Sequence, residues 1–216
     1  MQRNFYDPNS CSWYRFNLDV SDALLPEFLE FVKTASRDIH MYFFLPGQIF
    51  HDSWITRVQH SHGLDIDNVM VFVGQRNNPD PIAHVDGPSI PLRSAINWCL
   101  GEDHQPMQWF SLPEIITRPY NDTGYYWNVD RLGNRTRTQT IEDSLDEIDH
   151  KTWYCSELTQ IDQCLIGSQP TLVRVDQPHN VAQGHSDRVS ISIRCRPLTR
   201  PWRDTVADLF RFILPD

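Results

Sequence analysis

The chain contains no Cys-x-x-Cys pair, and its five cysteines (Cys11, Cys99, Cys155, Cys164 and Cys195) are odd in number and widely scattered. That pattern argues against a disulfide framework and against a thiolate zinc site. The opening stretch, MQRNFYDPNS, has no apolar leader core, and no run of 18 or more apolar residues occurs. Neither a secretory leader nor a membrane-spanning helix is expected, and a reducing, cytoplasmic setting is. Positive charge is also scarce: 19 Lys and Arg stand against 28 Asp and Glu, a formal net charge of −9. Such a balance does not attract phosphate backbones and argues against a nucleic-acid partner, leaving RLGNRTR (Arg131 to Arg137) as the one local basic stretch. No GxGxxG occurs and strands do not alternate with helices, which excludes a Rossmann-type dinucleotide fold. Internal repeats and low-complexity tracts are absent as well.

What is present is a chain of 216 residues, 40% hydrophobic and 12% aromatic, enough for one well-cored domain over residues 1–216. Residues 19–36 (DVSDALLPEFLEFVKTAS) carry an apolar stripe at helical spacing, with Ser21 or Asp22 as the expected N-cap, within a helical support of about 20–60. NVMVFVGQ (68–75) reads as a buried strand, followed by LRSAINWCL (92–100), MQWFSL (107–112), QPTLVRVD (169–176) and RVSISIRCRP (188–197). Residues 202–214 (WRDTVADLFRFIL) predict a closing helix. Between about 113 and 157 the pattern weakens into a polar, aromatic-rich insertion that includes Tyr125, Tyr126 and Trp127 and reads as a lid, with short strands or a helix near 141–149. Short strands framed by helices predict a mainly β fold with supporting helices, a sandwich or barrel.

A His-x-Asp triplet is expected about once by chance in this composition, and the chain has two, His84-Val-Asp86 and His185-Ser-Asp187. The second sits in a turn-like QGHSD and reads as solvated. The first lies in an extended PIAHVD, where residues i and i+2 face the same side and converge on one point. An imidazole and a carboxylate suit a divalent first-row metal, and His179 in DQPHNV, on a neighbouring strand, would complete a two-His-one-carboxylate set. His60-Ser-His62, in QHSHGLDID, reads as a loop. In RVSISIRC, Val189, Ile191, Ile193 and Cys195 face one way and Arg188, Ser190, Ser192 and Arg194 the other. The polar face either lies in water or lines a pocket inside a barrel. In the second case Arg188 and Ser190 offer a fork and a hydroxyl to a carboxylate, on a strand expected to lie beside that of His179.

The order His-x-Asp, a long gap, His, then Arg-x-Ser resembles the Fe(II)- and 2-oxoglutarate-dependent dioxygenases. The matching residues are His84-Val-Asp86, His179 and Arg188-Val-Ser190, and the similarity covers roughly residues 68–112 and 158–197. The resemblance implies a double-stranded β-helix (jelly-roll, cupin-like) core with Fe(II) on His84, Asp86 and His179. It implies that 2-oxoglutarate chelates the metal, with its distal carboxylate on Arg188 and Ser190, and that O2 is consumed as succinate and CO2 are released. Asn97, which shares a strand face with Ala95 and Cys99, is the candidate for the 1-carboxylate, against a plain role of pairing with neighbouring backbone. Arg194 either contacts the co-substrate or closes the barrel mouth, and Arg93 is a candidate surface charge. The activity implied is hydroxylation or oxidative demethylation of a small molecule or a protein side chain. Two rivals stay open: a jelly-roll binding or scaffold protein, and a cupin-like metal enzyme that does not use 2-oxoglutarate.

Overall fold

Strand-forming sequence dominates the computed structural model, which describes residues 8, 11–35, 41–73, 82–86, 93–101, 106–111, 126–129, 135–138, 152–181 and 189–215. In chain order the strands are β1 (Trp13–Arg15), β2 (Met41–Phe44), β3 (Ile66–Val73), β4 (Ile82–His84), β5 (Ser94–Leu100), β6 (Pro106–Ser111), β7 (Tyr126–Val129), β8 (Arg135–Thr138), β9 (Thr152–Tyr154), β10 (Thr159–Leu165), β11 (Thr171–Arg174), β12 (His179–Val181) and β13 (Val189–Cys195). The α-helices among the described residues are α1 (Pro26–Thr34), α2 (Asp52–His62) and α3 (Trp202–Leu209).

The strands form two antiparallel sheets and a separate hairpin, β7–β8. The larger sheet runs β1-β11-β5-β13-β3-β2, and the smaller runs β10-β6-β12-β4-β9. Period-two alternation explains why the larger sheet is covered on both sides. Its outer face presents Val69 and Val71 (β3), Ile96 and Trp98 (β5), Leu172 (β11), and Ile191 and Ile193 (β13). These pack with Phe28 of α1, Trp54 and Val58 of α2, and Trp202 and Val206 of α3. Its inner face presents Ala95, Cys99 and Val173, which pack with Met107 and Trp109 of β6 and Cys164 of β10 in the smaller sheet. Fully burying one such aliphatic or aromatic side chain stabilises the fold by about 1.5–3 kcal/mol. The buried indoles keep their hydrogen bonds: Trp54 Nε1 donates to the Asp19 carbonyl and Trp109 Nε1 to the Arg174 carbonyl, each at 2.7 Å.

Several expectations are corrected. Helix α1 starts at Pro26, with Leu25 at the N-cap position and no side-chain cap. Pro suits that first turn because its missing N–H would have had no partner there. Ser21 instead donates from its backbone and hydroxyl to Asp19, and Asp22 pairs with Arg57. His60 and His62 lie on α2, where residues two apart point in different directions; the helix ends at Gly63, whose φ of 69° suits glycine. Helix α3 stops at Leu209 and continues as a 3-10 turn, Phe210–Phe212. The insertion contains β7, β8 and β9, while 141–149 and Tyr125 lie outside the described residues.

Candidate metal centre

The smaller sheet brings the candidate ligands together through backbone register. Strand β4 lies between β12 and β9, and His84 is the direct cross-strand partner of His179. Their rings sit 4.6 Å apart between centroids. Asp86 follows just after β4, where its N–H donates to the Val175 carbonyl at 3.1 Å. The i, i+2 relation holds although the strand itself ends at His84. Asp86 Oδ1 lies 3.5 Å from Nε2 of His84 and 3.7 Å from Nε2 of His179. One ligand atom from each of the three residues lies within 4.8 Å of the others.

The orientation of His179 has a backbone cause. Its Nδ1 lies 2.8 Å from the Gln177 carbonyl, so Nδ1 carries the proton and Nε2 turns its lone pair toward Asp86. Burial pushes the His179 imidazole down to about 4, with the neighbouring His84 acting the same way and Asp86 against it. At neutral pH it is uncharged, the form that ligates. For Asp86, burial pulls the carboxyl upward and is the largest single influence. The Arg194 guanidinium is the chief influence opposing it, with the neighbouring His84 and His179 acting the same way; together they outweigh it, and the carboxyl is held well below the usual carboxylate range. The neutral imidazole of His179, the second imidazole nitrogen on His84 and the ionised oxygen of Asp86 form a donor set for a divalent ion. The two Oδ1–Nε2 separations also fall below ~4.2 Å, the most that two ligands each about 2.1 Å from a shared ion can reach. The residues present therefore fit a metal.

The polar face of β13 points inward. Ser190, Ser192 and Arg194 are 5%, 0% and 4% exposed and share the inner face with Cys99 and Asn97 of β5, their cross-strand neighbours for the two serines. Ser190 Oγ lies 3.1 Å from Cys99 Sγ. Asn97 Oδ1, Ser192 Oγ, and Nε and Nη1 of Arg194 are buried with no hydrogen-bond partner among the described residues. The backbone-pairing role for the Asn97 oxygen is thus not seen. Arg194 turns to Asp86: its Nη1 lies 2.7 Å from Asp86 Oδ2, a close ion pair without the alignment of a hydrogen bond. Arg93 is half-exposed, with Nη1 3.5 Å from Asp176 Oδ2.

One placement differs from the sequence reading. Strands β12 and β13 are not neighbours; they belong to different sheets, and Arg194 of β13 reaches Asp86 from the opposite sheet. Arg188, His104, His185 and Asp187 lie outside the described residues. Sequence reasoning missed the Gln177 carbonyl, which any residue would supply, and the tie from Arg194 to Asp86, whose only sequence signal was a charged residue on an alternating strand. Comparison with protein-family models and with curated proteins found no match to this chain. Among the described residues, no helix is long and apolar enough to cross a membrane.

Proposed function

We propose that this chain is an Fe(II)- and 2-oxoglutarate-dependent dioxygenase on a double-stranded β-helix, which hydroxylates or oxidatively demethylates a small molecule or a protein side chain. The observation that carries the reading is the convergence of His84, Asp86 and His179 at one point between two sheets. Strand order supports it: β3, β5, β11 and β13 belong to the larger sheet, and β4, β6, β10 and β12 to the smaller, so the core chain crosses repeatedly between layers. Asn97 Oδ1, Ser192 Oγ and Arg194 Nε, buried without a hydrogen-bond partner among the described residues, add support, because such groups are costly unless a polar ligand meets them.

His84, Asp86 and His179 would hold the metal, and three protein donors leave positions open for co-substrate and O2. When bound, Fe(II) with 2-oxoglutarate would activate O2, the oxidant, so that one oxygen atom enters succinate as CO2 leaves and the other enters the C–H bond as hydroxyl. The chain's own part is to fix the donors and exclude water: Gln177 sets the His179 tautomer, and the two covered faces of β13 keep the interior dry. Ser190, with Arg188 just before it, would anchor the distal carboxylate, and Asn97 the proximal one.

The test is thermal unfolding with Mn(II), then with Mn(II) plus N-oxalylglycine. Ligand at a hundredfold excess over Kd stabilises by about 2.7 kcal/mol, which raises the Tm of a chain this size by about 5–10 °C. Each addition is expected to raise Tm, and the analogue only when metal is present. Absence of a metal effect would overturn the reading, and a metal effect with no further gain from N-oxalylglycine would favour the metal-only enzyme. Succinate release across a substrate panel then identifies the C–H bond.

A further inference from the structure

The two oxygens of Asp86 have different neighbours. Oδ1 faces the Nε2 atoms of His84 and His179, whereas Oδ2 lies against Nη1 of Arg194. Arg194 reaches it from the opposite sheet. Its strand is held on both sides, by β3 and by β5, and the β3–β13 register shifts between Arg194 and Cys195. The extra residue there is Asp67 of β3, so β13 keeps its alternation and Arg194 lies on the inner face with Ser190 and Ser192. At 4% exposure the Arg194 side chain has lost nearly all its water. A cation buried that deeply needs a carboxylate, and Asp86 provides it.

We propose that Arg194 is a positioning residue for the metal centre: it holds Oδ2 so that Asp86 offers the ion Oδ1 alone. The inference rests on the metal reading above. Its consequence is geometric. A carboxylate free to rotate can chelate through both oxygens and occupy one more coordination position; with Oδ2 held, that position stays available to a ligand. The positive charge of Arg194 also offsets that of Asp86, so metal affinity carries two opposing contributions, from orientation and from repulsion. Affinity alone is therefore a poor readout, and the binding mode of the carboxylate is the better one.

Infrared difference spectra of Mn(II) binding read that mode directly. The gap between antisymmetric and symmetric carboxylate stretches is wide for one-oxygen binding and narrow for two-oxygen binding, and Asp86→Ala identifies the bands. Wild-type protein is expected to show the wide gap, and Arg194→Met the narrow one, with folding checked by circular dichroism. Arg194→Gln, neutral but still polar in a buried position, is the second variant and is expected to narrow the gap as well. A narrow gap already in wild type, or a wide gap kept in either folded variant, overturns the proposal. If Asp86→Ala binds Mn(II) as tightly as wild type, the metal reading itself fails. If Asp86→Ala loses the metal while the arginine variants keep the wide gap, only the role of Arg194 falls.

Discussion

His179 owes its presentation to Gln177, whose carbonyl takes one ring nitrogen and leaves the other facing Asp86. The next residue, Asn180, turns the opposite way on β12 and donates from Nδ2 to Cys155 Sγ at 3.0 Å. Burial raises the Cys155 thiol to about 11. The sign is unfavourable for reactivity: at pH 8 about one thiol in a thousand is ionised, and the thiolate is the nucleophile. Iodoacetamide at pH 8, followed by mass spectrometry, is therefore expected to label Cys155 in the native protein far more slowly than in the denatured protein. Labelling at equal rates would contradict the assignment. The other four cysteines, Cys11, Cys99, Cys164 and Cys195, are buried.

Strand β13 shows how two neighbouring residues can serve different ends. Ile191 is buried against the helices, and Ser192 is buried on the inner face with no partner for its hydroxyl among the described residues. Ile191→Ala is expected to cost about 2–5 kcal/mol in urea unfolding, through lost transfer energy and a cavity. Ser192→Ala is expected to change stability by less than about 0.5 kcal/mol, since no hydrogen bond is removed. A large loss from Ser192→Ala would show that the hydroxyl is structurally engaged. The alternation of β13 was legible because period two is written in the residue types. Which face met water was not, because burial of the polar face depends on the smaller sheet, whose strands β4 and β12 are only three residues long. Short strands of that kind carry too few residues to show a period. The candidate metal triplet was legible for a related reason: two of its members are two apart at the end of β4, and a Pro marks the approach to the third. That His84 and His179 are direct cross-strand partners belongs to register, which no local pattern encodes. The helix α2 was read as a loop at its His60–His62 end because Ser and His are weak helix formers; packing of Trp54 and Val58 into the outer core overrides that preference.

For the whole molecule, the two layers divide the labour. The larger sheet, with helices against its outer face, holds most of the apolar core, while the smaller sheet carries the imidazoles and Asp86 follows its β4 strand. The insertion between β6 and β10 joins both arrangements: β7 lies beside β2, and β9 adds itself to β4, with Thr152 opposite His84. Removing residues 113–157 would strip β4 of that partner and move the edge of the sheet from β9 onto the strand that carries His84, where an unpaired edge is a template for pairing between copies. Size-exclusion chromatography is expected to find that deletion aggregated. Replacing 113–150 with a flexible linker long enough to cross three strand spacings, about 14 Å, keeps β9 and is expected to leave the protein monodisperse; equal behaviour of the two deletions would argue that β9 does not guard the edge. Because the segment that ends beside His84 is woven into the sheet that holds it, the stretch 113–157 is not one exchangeable unit: residues 113–150 can be replaced, whereas Thr152–Tyr154 has to stay so that His84 keeps its cross-strand partner.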